Sequence, residues 1–426
     1  MSRTTARLGA LALALLLAGW QSPATAVPRP ASDRTLTVWL MWGSVPQPLV
    51  EDLESEFEAA HPGVDVTVTL QDWGGIHDRL EQALGSDSAP DVVETGTTET
   101  PYFASAGLLA DLSAQAPALG QDEWIPALRA SGAWQGRQYG VPLYAASRVV
   151  VYREDLFERA RLSPPRDQRE WLATTRALGR AHRADPDFQP IYLPGQNWYF
   201  LSGLLWDRGG DLATRDETTG DWHGGLATPQ AAAALRYYGR LQAWSTAPVD
   251  QDEGTPPQYE VLARGQVGQL VGMPWELADA ERINPGLRGK LAMFPVPGLT
   301  RERAGSSFLG GTHLAVAARA RQPELALDWV SRLTGTAYQT RLAIANGTLP
   351  NRRSLADQID DPAVRAQAAA AGNGRTTPVD PRWPAVEAAP NPIKVLLTAS
   401  LSGEPPRAAG RRADRELERR LNQGAP

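Results

Sequence analysis

The chain has 426 residues, of which 42% are hydrophobic and 21% are charged, and its formal net charge is −6. This composition is typical of a globular protein of two or three domains, and the lack of long basic runs argues against nucleic acid as a partner. The absence of cysteine excludes disulfides, thiolate metal sites and cysteine nucleophiles. The chain has 14 tryptophans and only 7 phenylalanines, and this excess of tryptophan requires an explanation.

Residues 1–26 are predicted to be a signal peptide. Two arginines precede an unbroken apolar run at 8–18, and small residues at 24–26 supply a cleavage site. The apolar run is too short to cross a bilayer as a helix, for which about 20 residues are needed. We therefore expect an exported mature chain that starts near Val27.

The segment Leu17-Ala-Gly-Trp20 resembles a bacterial lipoprotein box in which tryptophan stands in place of the lipidated cysteine. Attachment of diacylglycerol through a thioether needs that sulfur, so the chain as written cannot be anchored in this way. Chance resemblance within an Ala- and Leu-rich run explains the segment equally well. The expected location is extracellular or at the cell surface.

Strand and helix patterns alternate after the signal peptide. Alternating polar and apolar residues predict strands, whereas apolar residues three and four positions apart predict the buried face of a helix. The predicted strands are 35–40, 64–70 and 91–93, and the predicted helices contain residues 49–57, 76–84 and 102–107. Strands separated by helices at this spacing indicate a parallel α/β sheet.

A second α/β region follows. Thr228 is placed to cap a helix that begins at Pro229. A later helix carries Trp329 on its apolar face, and the next one ends at Asn346-Gly347, a typical C-terminal cap. Further strands are predicted at 148–152, 266–271, 291–294 and 312–317, with a helix around 171–178 and more helices towards the C-terminus.

No catalytic motif or metal-ligating pattern stands out. The five histidines lie far apart, at positions 61, 77, 182, 223 and 313, without the spacing of zinc ligands. There is no nucleophile elbow or phosphate-binding loop, and no dinucleotide fingerprint, since Gly209-Gly210 and Gly310-Gly311 are only doublets. Among 48 acidic residues, many pairs could supply the two carboxylates of a glycoside hydrolase. The presence of such pairs therefore does not distinguish an enzyme from a binding protein. We expect a protein that is not an enzyme and holds neither metal nor cofactor.

Six short motifs occur in order after position 136. They are Gly136-Arg-Gln-Tyr-Gly-Val-Pro-Leu-Tyr144 with Val150-Val-Tyr152 behind it, Leu204-Leu-Trp-Asp-Arg-Gly-Gly210, Leu262-Ala-Arg-Gly-Gln-Val-Gly-Gln-Leu-Val-Gly-Met-Pro-Trp275, Phe294-Pro-Val-Pro-Gly298, Gly310-Gly-Thr-His-Leu-Ala-Val316 and Asn346-Gly-Thr-Leu-Pro-Asn-Arg352. Behind a signal peptide, this series resembles the extracellular solute-binding proteins (family 1) of carbohydrate ABC importers, of the maltodextrin-binding type. The resemblance covers essentially the whole mature chain.

The resemblance implies an α/β fold of two lobes, the type II periplasmic-binding-protein fold. Each lobe would have a central sheet flanked by helices, and a hinge would join the lobes. The N-lobe is expected to comprise residues 27–145 and 298–346, and the C-lobe residues 146–297 and 347–426. The expected crossings between the lobes lie near 143–147, 296–298 and 347–350.

The tryptophan excess fits a sugar site, because a pyranose ring has apolar faces and polar edges. Ligands of open α/β sheets bind beyond the carboxyl ends of the strands, which favours Trp42 and Trp73. The resemblance adds Trp198, Trp275 and Trp383 as rings that line the cleft. Stacking on one ring is worth about 2.5 kcal/mol at most, if about 100 Å² is covered at about 25 cal/mol per Å².

Polar contacts are expected from side chains at the rim and from the backbone of a Gly-Gly doublet. The residues predicted to make these polar contacts are Ser44, Asp72, Glu94, Thr95, Tyr144, Arg148, Glu276, Gly310, Gly311, His313 and Arg352. Structural alternatives stay open for several of them: Asp72 as a helix cap, Glu94 in a salt bridge and Arg352 as a solvated residue. Ala146-Ser147 stands where many relatives carry Asn or Asp, which removes one sugar contact.

The function implied by the resemblance is capture of a mono- or oligosaccharide, above all an oligosaccharide, by hinge closure. The bound sugar would pass to the membrane permease subunits of an ABC importer, and the binding protein is expected to be a monomer. Two alternatives stay open: a secreted glycoside-processing enzyme, and the same fold binding a polyamine, a phosphodiester or a metal chelate. Those solutes would need clustered charge, whereas this chain offers tryptophans.

Overall fold

The structure is a computed structural model that describes residues 34–423. The predicted signal peptide and Trp20 lie outside the described residues. The strands are β1 (Arg34–Met41), β2 (Val64–Gln71), β3 (Val92–Gly96), β4 (Ala133–Trp134), β5 (Arg137–Gln138), β6 (Gly140–Ser147), β7 (Val149–Arg153), β8 (Ala213–Arg215), β9 (Trp222–Gly224), β10 (Gln269–Gly272), β11 (Leu291–Pro295), β12 (Ser307–Val316), β13 (Leu349–Pro350) and β14 (Gly374–Arg375).

The helices pack around these strands. They are α1 (Gln47–Ala60), α2 (Ile76–Leu84), α3 (Thr100–Ser105), α4 (Pro126–Ser131), α5 (Glu154–Arg159), α6 (Gln168–Ala181), α7 (Trp198–Trp206), α8 (Pro229–Gln242), α9 (Gln258–Ala263), α10 (Trp275–Ile283), α11 (Pro323–Leu333), α12 (Thr336–Asn346), α13 (Arg353–Ala356), α14 (Pro362–Ala371), α15 (Trp383–Glu387), α16 (Pro392–Leu401) and α17 (Pro406–Asn422). Within residues 34–423, none of them has the length and apolar character needed to cross a bilayer.

The N-lobe is built on a seven-stranded sheet with the order β13-β6-β12-β3-β1-β2, in which β14 also pairs with β12. The first three strands are parallel, as predicted, because helices α1 and α2 connect them. The later strands differ from the prediction of a parallel sheet, since β12 runs antiparallel to both β3 and β6. The sheet is therefore mixed, and the chain returns to it after building the second lobe.

The C-lobe is built on a three-stranded antiparallel sheet with the order β10-β7-β11. Helices α7, α8, α16 and α17 cover one side of it and enclose a large apolar core. Trp171 lies in this core and Trp329 lies in the core of the N-lobe, as their helical positions predicted.

Local signals predicted the ends of several helices. The Thr228 side chain accepts a hydrogen bond from the amide of Ala231, which confirms the predicted cap of α8. Helix α12 ends at Asn346, and the φ of 64° at its capping residue Gly347 is left-handed and suits a residue without a side chain. Both predictions succeed because capping depends on residues that are close in sequence.

We place three crossings of the chain between the lobes, of which the first two lie together because Leu309 of β12 pairs with Ser147 of β6. The first crossing is at Ser147 and Arg148, between β6 and β7. The second lies within β12, because Phe308 packs in the C-lobe core whereas Leu314 packs in the N-lobe core. We therefore place the second crossing between residues 308 and 314, later in the chain than the expected 296–298. Strand β13 pairs with β6, so we place the third crossing after residue 350 and not at 347.

Candidate functional site

Two exposed tryptophans lie at one edge of the N-lobe sheet. Trp42 follows β1 and Trp73 follows β2, and their exposed fractions are 68% and 45%. Because these strands are parallel and in register, their carboxyl ends meet, and the amide of Trp42 donates to the Gln71 carbonyl (2.8 Å). The Trp73 ring lies against Gly96 at the end of β3. Asp72, between the end of β2 and Trp73, is exposed and does not cap a helix, since α2 begins after Gly75.

A buried polar cluster lies directly behind these rings. It consists of Ser44, Glu94, Tyr144 and Thr312, which come from four separate segments of the N-lobe. Glu94 Oε2 accepts a hydrogen bond from the amide of Met41 (2.8 Å). Burial raises the pKa of the Glu94 carboxyl to about 7, although the Met41 amide and the nearby hydroxyls of Ser44 and Thr312 oppose this shift.

Several atoms of this cluster have no hydrogen-bond partner within the described chain. They are Glu94 Oε1, Ser44 Oγ and Thr312 Oγ1. Buried polar atoms in proteins are normally satisfied, so this end of the sheet has unused capacity for hydrogen bonds.

Thr95 and His313, which were also predicted to contact the ligand, lie on the opposite face of the same sheet. Side chains alternate along a strand, so neighbours of Glu94 and Thr312 point away from them. The two ring nitrogens of His313 are within hydrogen-bond distance of Thr100 Oγ1 (2.9 Å) and the Leu128 carbonyl (2.8 Å). Thr100 Oγ1 in turn contacts Thr95 Oγ1 (2.7 Å). Thr95 and His313 are therefore structural residues that tie α3 and α4 to the sheet.

The C-lobe brings one tryptophan to the boundary between the lobes. Trp275 is the first residue of α10 and, with Met273, packs against the N-lobe core. Asn346 Nδ2 donates to the Ser44 carbonyl (2.8 Å), and Pro274 Cβ lies near Gly347. The loop after Trp42 and the segment before Trp275 therefore meet at the same turn, Asn346-Gly347.

A second buried polar cluster lies in the C-lobe beside the first crossing. Arg148 Nη2 donates to Glu253 Oε1 (2.7 Å), and its guanidinium stacks 4.4 Å from the ring centroid of Tyr199. Gln258 Nε2 donates to Glu276 Oε2 (2.8 Å). Burial raises the pKa of the Glu276 carboxyl to about 7. Within the described chain, Arg148 Nε and Nη1, Glu253 Oε2 and Gln258 Oε1 have no hydrogen-bond partner.

Gly310 and Gly311 lie in β12 beside the first crossing, and both are partly exposed. A side chain on Gly311 would begin 2.3 Å from the Tyr144 carbonyl, so glycine is required for β12 to approach β6 this closely. The doublet therefore has at least a packing role, next to the buried cluster that contains Tyr144.

Three other residues predicted to contact the ligand are engaged in contacts within the protein. Trp198 and Trp383 are only 2% and 0% exposed, and both rings are enclosed in the C-lobe core. In this conformation neither ring presents a face to a ligand. Arg352 donates to the Leu119 carbonyl (3.0 Å) and thereby holds the segment before α4, without a contact to either polar cluster.

Sequence reasoning missed Thr312, Tyr199, Glu253 and Gln258. Alternation along β12 places Thr312 and His313 on opposite faces, but the register with β3 is needed to show that Thr312 shares a face with Glu94. Glu253 lies in a loop rich in Pro and Gly, where no periodic pattern predicts which way a side chain points. Among the described residues, no three His, Asp or Glu side chains are grouped so that they could hold a metal ion.

Comparison with known proteins agrees with this architecture. The profile of the family described as bacterial extracellular solute-binding protein matches residues 42–340. The diacetylchitobiose-binding protein DasA of Streptomyces coelicolor is 41% identical over 395 residues, which cover 92% of this chain and 91% of that protein.

Solved structures with little sequence identity share the fold. The GacH receptor of Streptomyces glaucescens, crystallised unliganded and with acarbose, superposes with a TM-score of 0.78 at 24% identity, over 92% of this chain and 99% of that one. The sugar-binding protein MalE of Xanthomonas citri superposes with a TM-score of 0.76 at 22% identity, and the match covers 91% of this chain and 98% of that one. With its two lobes, its mixed sheet and this extent of similarity, the chain belongs to the bacterial extracellular solute-binding protein family and is a solute-binding protein, not an enzyme.

Proposed function

We propose that this protein binds a neutral oligosaccharide between its lobes and delivers it to the membrane subunits of an ABC importer. The observation that carries the proposal is the pair of exposed indole rings, Trp42 and Trp73, at the carboxyl edge of β1 and β2. Both rings follow paired, in-register strands, and an exposed apolar patch on a protein surface commonly marks a binding site. A sugar ring can cover them with its C–H faces and still keep its hydroxyls at the polar rim.

The unsatisfied polar atoms of the two buried clusters support a polyhydroxylated ligand. Glu253 Oε2 can accept hydrogen bonds, the guanidinium of Arg148 can donate them, and the hydroxyls of Ser44 and Thr312 can do either. These atoms belong to both lobes, and sugar hydroxyls can also donate and accept. A ligand that engages both sets favours the closed arrangement, which is the basis of hinge closure.

The charge of the two clusters favours a neutral solute. The two clusters contain one positive charge, that of Arg148, and three carboxyl groups, those of Glu94, Glu253 and Glu276. Arg148 is already paired with Glu253. An acidic sugar or a phosphate would meet carboxylates without a free cation, which is costly in a buried site. Neutral oligosaccharides avoid this penalty.

The relatives support the oligosaccharide class. DasA is named for diacetylchitobiose, and GacH was crystallised with acarbose. Because DasA is 41% identical over most of this chain, we propose diacetylchitobiose as the first candidate ligand, with maltodextrins as the second. The ligand-facing residues would be Trp42, Trp73, Trp275 and Arg148, with Ser44 and Thr312 behind them.

Family membership implies export and association with an ABC transporter. We propose that residues 1–26 are removed and that the mature protein is released or held at the cell surface without a thioether-linked lipid, since Trp20 has no sulfur. Mass spectrometry of the protein secreted by its native host would measure the N-terminal residue and any attached lipid.

Calorimetry with a panel of sugars tests the proposal. We expect diacetylchitobiose or a maltodextrin to bind, glucuronic acid-containing disaccharides not to bind, and small-angle scattering to show compaction with the ligand. Trp42→Ala should raise the Kd of the bound sugar roughly ten- to fifty-fold, since one stacked ring is worth about 2 kcal/mol. Ile283→Ala removes another exposed apolar side chain and serves as the control, with no expected change in Kd. If no neutral sugar binds, the proposal is wrong.

A further inference from the structure

The two lobes use the same arrangement to fix the backbone next to a tryptophan. In the N-lobe, Glu94 Oε2 accepts from the amide of Met41, the residue before Trp42 (2.8 Å). In the C-lobe, Glu276 Oε2 accepts from the amide of Met273, two residues before Trp275 (2.7 Å). Glu94 is 1% exposed and Glu276 is 7% exposed. Each carboxylate is thus directed at the backbone just before an aromatic ring at the lobe boundary.

A carboxylate that accepts from a backbone amide makes a charge-assisted hydrogen bond, which is roughly twice as strong as a neutral one. In the N-lobe this bond acts where β1 ends and the chain turns. The same turn is held by the bond from the Trp42 amide to the Gln71 carbonyl (2.8 Å) and by that from the Ser44 amide to the Met41 carbonyl (3.1 Å). The backbone of Trp42 is therefore restrained, although its indole is exposed.

The C-lobe site is shaped around the carboxylate of Glu276. A Cβ atom on Gly272 would stand 1.9 Å from Glu276 Oε2, so only glycine leaves room for it. Gln258 Nε2 also donates to this oxygen (2.8 Å) and to the Val271 carbonyl (3.0 Å). The glutamate, the glutamine and the glycine together fix the end of β10 and the start of α10.

We propose that Glu94 and Glu276 are positioning residues, which hold the backbone of the Met41–Trp42 and Met273–Trp275 segments so that the two indole rings face the ligand in a fixed orientation. This replaces the expectation from sequence that both glutamates contact the sugar directly. The inference rests on the proposed function for the identity of the ligand, but its geometric part can be tested without any ligand.

The environment of each carboxyl predicts that the positioning depends on pH. Burial raises the pKa of each carboxyl to about 7. Glu94 faces the phenol of Tyr144 and the hydroxyls of Ser44 and Thr312, whereas Glu276 faces the charges of Arg148 and Glu253 and the phenol of Tyr259. Above pH 7 the carboxylates hold the amides with their full charge. As the pH falls below 7 they become protonated, and the two amide hydrogen bonds weaken.

The test without ligand is 19F NMR of protein labelled with 5-fluorotryptophan, titrated from pH 5.5 to 8.5. Trp42→Phe and Trp275→Phe identify the two resonances. We expect both resonances to shift with a midpoint near 7. Glu94→Gln should abolish the shift of Trp42 and leave that of Trp275, and Glu276→Gln should do the reverse. Shifts that persist in both variants, or no shift in the wild type, would overturn the proposal.

The test with ligand compares Glu94→Leu with the conservative variant Glu94→Gln at pH 8, by calorimetry with diacetylchitobiose. Glu94→Leu removes the acceptor for the Met41 amide and should raise the Kd at least tenfold. Glu94→Gln keeps an acceptor oxygen, and its amide group can donate to the unsatisfied hydroxyls nearby, so it should rescue most of that loss. If Gln weakens binding as much as Leu, the charge contacts the sugar directly and the proposal fails. Absence of binding by the wild type counts against the proposed function, whereas the NMR result still decides the positioning role.

Discussion

The guanidinium of Arg148 lies 2.7 Å from the carboxylate of Glu253, and the two residues are 105 positions apart in the chain. This pair joins the first crossing between the lobes to a loop of the C-lobe. Arg148 Nε and Nη1 are buried and unpaired, so the ion pair is the main compensation for the buried charge.

Removal of Glu253 should therefore be strongly destabilising. We expect Glu253→Ala to lower the free energy of unfolding by about 3–5 kcal/mol, because it leaves Arg148 buried without a counter-charge. The double variant Arg148→Met/Glu253→Leu should recover most of that loss, because it removes both charges. Urea denaturation measures both effects. As a control, Arg282→Ala breaks an exposed pair with Asp279 and should cost less than about 1 kcal/mol. Equal losses in Glu253→Ala and the double variant would contradict this account.

The crossing is also held by Gln367 of α14. Its Oε1 accepts from the Ser147 amide (2.6 Å) and its Nε2 donates to the Ser147 carbonyl (2.9 Å), with all these atoms buried. Gln367→Ala should lower the free energy of unfolding by about 2–4 kcal/mol, since it leaves two buried backbone groups without partners. Gln358→Ala, which removes an exposed hydrogen bond to the Ser354 carbonyl, should leave the melting temperature nearly unchanged. A Gln367→Ala variant as stable as the control would show that water replaces the side chain at no cost.

His313 should make stability fall at acidic pH. Burial lowers its pKa to about 4, whereas an unfolded histidine has a pKa of about 6.5. The neutral ring is thus favoured in the folded state. The contribution of this neutral ring to the free energy of unfolding is complete above pH 6.5. It is lost as the pH falls towards 4, and the total loss is about 3 kcal/mol.

Denaturation of the wild type and of His313→Gln between pH 4 and 8 measures this contribution. The variant should lack this part of the decline, because glutamine does not titrate. Other ionisable groups are common to both proteins and cancel in the difference. His223→Gln, at an exposed position, is the control and should keep the full decline. Parallel pH profiles for wild type and His313→Gln would contradict a buried neutral ring.

Gly272 should not tolerate a methyl group. Its Cβ would also stand 2.7 Å from Leu270 Cδ1 and 2.8 Å from Gln258 Nε2, so several buried groups must move. We expect Gly272→Ala to cost about 1–3 kcal/mol by overpacking and to weaken ligand binding by displacing Trp275. Gly239→Ala in α8 meets only ordinary contact, 3.5 Å from Leu401 Cδ2, and should be neutral or stabilising. Comparable melting temperatures for the two variants would contradict the close packing at Gly272.

Much of the fold can be predicted from the sequence because it depends on local patterns. Periodicity located β1, β2, α1 and α2 to within three residues, and cap residues located the start of α8 and the end of α12. The placement of Trp42 and Trp73 at one exposed edge also follows from sequence, since the carboxyl ends of adjacent parallel strands lie together. By itself, then, the sequence determined the elements, the order of motifs that marks the family and the edge of the sheet that carries exposed rings.

The tertiary structure alone decided which of the predicted residues face one another. Whether an aromatic ring is covered depends on distant segments, which is why Trp198 and Trp383 are core residues although their motifs resemble those of a cleft. The face of β12 that holds Thr312 was settled by its pairing with β3 and β6. Gln367 reaches a residue 220 positions away. Such contacts arise from packing between segments far apart in the chain, and the periodicity within one segment carries no information about its partner.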